Sequence, residues 1–116
     1  MKFSGVMIGS DNPKALGEFY TSVLGEPGYQ GGTAYGWQTG TQLFIDSHSE
    51  ISGSNVAPAR IMLCTEVDDV LAEFKRLTEL GAKVVAEPYH PGEDQTMWLA
   101  TVADPDGNYL QIARPW

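Results

Sequence analysis

Apolar residues recur along this chain in two rhythms, a period of two and a period near 3.6, and the succession of rhythms runs twice. Residues 3–9 alternate as a strand does, with Val6 and Ile8 on one face. Leu16, Phe19, Tyr20, Val23 and Leu24 then fall at helical spacing and make one apolar stripe. Asp11 or Asn12 suits the N-cap of that helix, and Pro13 suits its first turn. Gly25 closes the helix and Pro27 prevents its resumption. Short strands rich in glycine and aromatic residues follow over 28–30, 33–39 and 42–48, the last two joined at Gly40-Thr41.

Residues 49–59 have no period and many turn formers, and read as a connector. After it the pattern starts again. Residues 60–66 read as a strand, and Asp68 or Asp69 as a helix cap. Val70, Leu71, Phe74, Leu77 and Leu80 form the second stripe, and Gly81 ends it. Strands are expected over 83–89, 95–103 and 108–113. Leu24-Gly25 and Leu80-Gly81 are matched punctuation in a duplicated βαβββ unit. The expectation is an α+β domain spanning 1–116, with module one over about 1–48 and module two over about 60–114.

The turn before the last strand has its mechanism written into it. In Asp104-Pro105-Asp106-Gly107, proline presets the backbone, aspartate bonds back to the main chain, and Gly107 supplies a positive φ. Beyond it Tyr109 and Gln111 lie on one face of the strand, with Leu110 and Ile112 on the other.

Composition narrows the function. The hydrophobic fraction of 42% is that of a globular protein, and no apolar run approaches the ~20 residues of a membrane span. The first residues are strand-like and too short for a signal peptide. A net charge of −8 without a Lys/Arg cluster argues against nucleic acid and anionic membranes as partners, and leaves neutral or cationic small ligands. The single cysteine, Cys64, forms no internal disulfide, in keeping with a cytoplasmic protein; mid-strand in an apolar run, it reads as a small buried hydrophobe.

Four segments together carry a family likeness: Phe19-Tyr20-Thr21-Ser22-Val23-Leu24-Gly25, Glu66-Val67-Asp68-Asp69-Val70, Leu80-Gly81-Ala82 and Asp104-Pro105-Asp106-Gly107-Asn108. Over essentially its whole length the chain resembles the vicinal oxygen chelate superfamily of glyoxalase I, bleomycin-resistance proteins and extradiol dioxygenases. The resemblance implies two tandem βαβββ modules forming a curved, U-shaped mixed sheet around a cavity. It also implies four positions where metal-dependent members place His, Gln or Glu. Here they fall on Gly5 (or Ser4 or Val6), on Met62 (or Ile61 or Leu63), on Asp46 (or Phe44), and on Gln111, which replaces a Glu. Such a set lacks the charge a tightly held divalent ion needs.

The resulting expectation is a glyoxalase/bleomycin-resistance-like protein without metal or other cofactor. It binds a small aromatic or cationic, antibiotic-like molecule in the concave groove, as a homodimer. The expected ligand-binding residues are Gln111, Asp46, Glu66, Trp37, Phe44, Met62, Trp98 and Tyr109. Gln111 would orient the ligand, Asp46 or Glu66 would favour a cation, and the aromatic rings would stack. The competing expectation is a lyase, isomerase or dioxygenase-type enzyme of the same superfamily with a substituted ligand set, or a metal-free one using Glu66 or Asp46 as base. His48 and His90 are expected at exposed strand ends rather than at a metal.

Overall fold

The computed structural model describes residues 1–114 and consists of two compact units, Met1–Gly53 and a second from Ser54 onward. The boundary falls inside the stretch that reads as a connector.

The first unit contains β1 (Gly5–Ser10), α1 (Pro13–Leu24), β2 (Tyr29–Gly31), β3 (Ala34–Gln38) and β4 (Gln42–Ser47). Its sheet has the order β1-β4-β3-β2, with β1 parallel to β4 and the other pairs antiparallel. Asn12 caps α1, its side chain accepting from the Ala15 N–H at 3.3 Å, and Pro13 opens the helix. At the other end Gly25 takes φ 92°, and its carbonyl accepts from the Trp37 indole N–H at 2.9 Å. That bond fastens the helix end to β3. Leu16 and Tyr20 from α1 pack with Tyr35, Trp37, Leu43 and Ile45, all at most 8% exposed, and form this unit's core.

The second unit repeats the plan with β5 (Leu63–Glu66), α2 (Val70–Glu79), β6 (Lys83–Tyr89), β7 (Trp98–Ala103) and β8 (Tyr109–Arg114) in the order β5-β8-β7-β6. Again the first and last strands are parallel. Identical strand order in both units establishes the duplication: two four-stranded mixed sheets, each with one helix, and no closed barrel. Asp69 caps α2 by accepting from the Ala72 N–H at 3.0 Å. Gly81 at φ 93° ends it, with the Gly81 N–H bonded to the Thr78 carbonyl and the Ala82 N–H to that of Leu77, both at 3.0 Å. That pair of bonds is the Schellman arrangement a C-terminal glycine permits. Val70 and Leu77 pack with Ala100, Val102, Leu110 and Ile112 in the core.

Four expectations about elements need correction. Residues 60–62 are not strand: the Arg60 N–H donates to the Ala57 carbonyl at 3.1 Å, a turn that delays β5 to Leu63. Residues 95–97 are not strand either, because the Asp94 side chain accepts from the Thr96 N–H at 2.8 Å and holds a local turn. Leu71 and Leu80 belong to the apolar stripe of α2 by spacing, yet each is 51% exposed. They flank the stripe, and only its centre meets the sheet. Cys64 is exposed rather than buried, since β5 is an edge strand and Cys64 stands on the face without a helix.

Candidate functional site

In each unit the helix covers one face of the sheet and leaves the other bare. Strand register decides which side chains each face receives, because paired residues share a face. In the first unit Trp37 pairs with Leu43 and Tyr35 with Ile45, and all four are buried on the helix side. The bare face carries the alternating set: Met7 beside Phe44 beside Gly36 beside Tyr29. The Phe44 ring lies over Gly36, where an added Cβ would stand 3.1 Å from Phe44 Cε1. Asp46 is two residues further along, half-buried.

Asp46 is held in place. The Thr33 hydroxyl donates to its Oδ1 at 2.5 Å and the Ser47 N–H donates to the same oxygen at 2.7 Å. These bonds, the hydroxyl first, hold the carboxyl below its ordinary range, so the group is a fixed anion at neutral pH. His48 lies just past β4, exposed, its Nδ1 accepting from the Glu50 N–H at 3.1 Å.

In the second unit Leu110 and Ile112 face α2, and the bare face of β8 presents Tyr109, Gln111 and Ala113. Gln111 pairs with Cys64 on one side and with Thr101 on the other; Ala113 pairs with Glu66. The Gln111 carboxamide is half-buried. Its one side-chain bond among the described residues is a weak one, from the Cys64 thiol to Oε1 at 3.7 Å. Its amide N–H groups therefore remain available. Tyr109 lines a dent of about 400 Å³ together with Ala57, Pro58, Ala59 and Arg60.

Register thus brings Gln111, Glu66 and Tyr109 onto one bare face and Asp46 and Phe44 onto another. It places two expected residues on the helix side instead. Trp37 is 3% exposed, sealed under α1 with its ring stacked 6.1 Å from Tyr35, and offers no surface to a ligand. Trp98 pairs with Arg114 and shares parity with Ala100 and Val102, so it lies on the helix side. There its ring meets His90, centroids 3.9 Å apart, and His90 Nδ1 donates to the Met97 carbonyl at 2.7 Å. His90 is therefore half-buried and engaged, not a free terminal histidine. Met62 precedes β5 and is half-buried. Gly5 opens β1 and is exposed.

Three members of these faces escaped sequence reasoning as site residues. Thr101, 5% exposed, stands beside Gln111. Cys64 shares parity with Glu66, which was signal enough to place it. Arg60 became visible only once the turn at 57–60 brought it beside Tyr109. Among the described residues no three side chains of His, Cys, Asp or Glu come together as a metal-binding group.

A glyoxalase-like domain model matches residues 5–113. No curated protein matches the chain. Solved structures with the same fold include a glyoxalase/bleomycin resistance protein/dioxygenase family enzyme from Burkholderia phytofirmans PsJN, at TM-score 0.79 and 22% identity over 98% of each chain. A glyoxalase-related enzyme from Fulvimarina pelagi superposes at TM-score 0.79 and 19% identity, over 99% of this chain and 88% of that one. A glyoxalase/bleomycin resistance protein from Catenulispora acidiphila DSM 44928 gives TM-score 0.66 and 27% identity, over 99% of this chain and 97% of that one.

Proposed function

This chain belongs to the glyoxalase-like domain family of the vicinal oxygen chelate superfamily, and on that premise we propose that it is a metal-free, reversible binder of a small organic molecule. The observation that carries the reading is Gln111. A half-buried carboxamide with unengaged N–H donors, on a sheet face no helix covers, is built to orient a bound molecule rather than to brace the fold. On the same face Tyr109 supplies ring surface and Glu66 favours a cationic group; on the bare face of the first unit Phe44 supplies a ring and Asp46 a fixed anion. Trp37 and Trp98 have no part in it.

The donor set does not fit a divalent metal. Gly5 and Met62 bring no oxygen or imidazole donor, and Gln111 brings a neutral amide. Only Asp46 is a strong ligand type among the four family positions, and Thr33 and Ser47 already occupy its Oδ1.

We propose a cytoplasmic protein, which the single cysteine suits, and a homodimer, because each unit leaves edge strands that pairing of two copies would cover. Light scattering is expected to return twice the chain mass; a monomer at micromolar concentration contradicts it.

Calorimetric titration with a panel of planar and cationic antibiotics tests the binding reading, with recovery of each bound compound afterwards. Binding with the compound recovered intact supports it. Gln111→Leu is expected to weaken such binding by roughly tenfold, the worth of one lost hydrogen bond left uncompensated. A chemically altered product makes the protein a lyase, isomerase or dioxygenase instead and ends the sequestration reading.

A further inference from the structure

The bare face of the second unit has opposite charges at its two ends. At the start of β8, Tyr109 and Arg60 line the 400 Å³ dent. The wall of that dent is a fastened strap. The Asn55 N–H donates to the Asp106 carbonyl at 2.8 Å, and its side-chain amide donates to Asn108 Oδ1 at 2.9 Å. Asn55 Oδ1 accepts from the Ala57 N–H at 2.9 Å, and the Arg60 N–H closes on the Ala57 carbonyl. The segment is therefore set before any ligand arrives, and binding bears no ordering cost there. At the far end of the same face Glu66 pairs with Ala113. Among the described residues neither Arg60 nor Glu66 has an ion-pair partner. Between them stands the Gln111 amide.

We infer that this face binds a flat zwitterion laid along β8. Its carboxylate sits at Arg60, its ring against Tyr109, its middle on Gln111 and its ammonium group at Glu66. Tyr109 and Ala113 are four residues apart on one strand, a span of about 13 Å at the usual rise per residue. A two-ring molecule with charges at opposite ends matches that length; a single amino acid does not reach. Arginine suits the anionic end because its charge is permanent and its fork matches a carboxylate. The inference rests on the binding reading above and specifies its ligand class.

Three probes decide it by calorimetry: a para,para′-substituted aminomethylbiphenylcarboxylic acid, the corresponding amine without the acid, and the acid without the amine. The zwitterion is expected to bind roughly tenfold more tightly than either singly charged probe. Arg60→Gln reduces its affinity to that of the amine, and Glu66→Gln reduces it to that of the acid. Both residues are exposed, and circular dichroism checks that the variants fold. Equal binding of all three probes, or a preference untouched by Arg60→Gln, overturns the end-to-end reading and leaves the binding reading standing. Binding of none at millimolar concentration overturns the zwitterion reading too, and the binding reading falls only if the antibiotic panel also fails to bind.

Discussion

Gly17 on α1 and Tyr35 on β3 touch so closely that no side chain fits between them: an added Cβ would stand 2.4 Å from Tyr35 Cε1 and 2.5 Å from Cδ1. This contact sets how near the first helix lies to its sheet. Tyr35 has nowhere to retreat. It is 8% exposed and stacked against Trp37, which is itself bonded to the end of α1.

Gly17→Ala is therefore expected to destabilise the protein. Alanine gains about 1 kcal/mol over glycine in a helix interior. Overpacking against an immobile ring costs about 1–3 kcal/mol. The clash wins, by about 1 kcal/mol, and denaturant unfolding measures it; an unchanged or raised midpoint contradicts the packing described.

Asp104→Ala is expected to cost about 3 kcal/mol, since the buried carboxylate is an acceptor for several donors at once. Its Oδ1 accepts from the Asp106 and Asn108 N–H groups, each at 2.9 Å, and its Oδ2 accepts from the Asn108 side chain at 2.9 Å. Asp104→Asn keeps one acceptor oxygen and should lose less. The ranking of the two variants in thermal unfolding is the check.

The pH dependence of Asp46 has a definite sign. Its folded-state pKa lies below the ordinary value of 3.8, chiefly through the Thr33 hydroxyl. The unfolded chain thus takes up its proton first as pH falls. The stabilisation is complete above the ordinary pKa and disappears as pH drops through the lowered one. Thr33→Val removes the largest cause, so NMR titration of the Asp46 carboxyl carbon should show its pKa rise. No change would detach Thr33 from the site. Asp94 is lowered for a similar reason, with Thr96 as the main donor.

Elemental analysis after incubation with Zn²⁺, Ni²⁺, Mn²⁺ or Fe²⁺ and dialysis should find far less than one metal per chain. Near one equivalent of metal would show that donors other than those at the four family positions assemble, and would end the metal-free reading.

The order of elements, their caps and the duplication were legible in the chain itself because each is local. A cap needs one side chain and the next turn of backbone, and a C-terminal glycine needs only its own φ; Asn12, Asp69, Gly25 and Gly81 all hold the positions their types suit. Parity also served where a strand was regular. Gln111 and Tyr109 stand together, opposite Leu110 and Ile112, as alternation alone requires. What alternation lacks is a sign. It tells which residues share a face, never which face the helix covers, and that choice is made by packing between segments far apart in sequence. Trp37 and Phe44 are both aromatic and both on strands; register puts them on opposite faces, and Trp37 is the one sealed in the core because α1 packs on its side. Trp98 went to the helix side for the same kind of reason. Cys64 came out exposed because β5 is an edge, a property of the pairing order rather than of the strand. The sequence by itself determined the modules and their parity; tertiary packing alone decided which parity class is core and which is open to a ligand, since burial is a relation between segments and not a property of either.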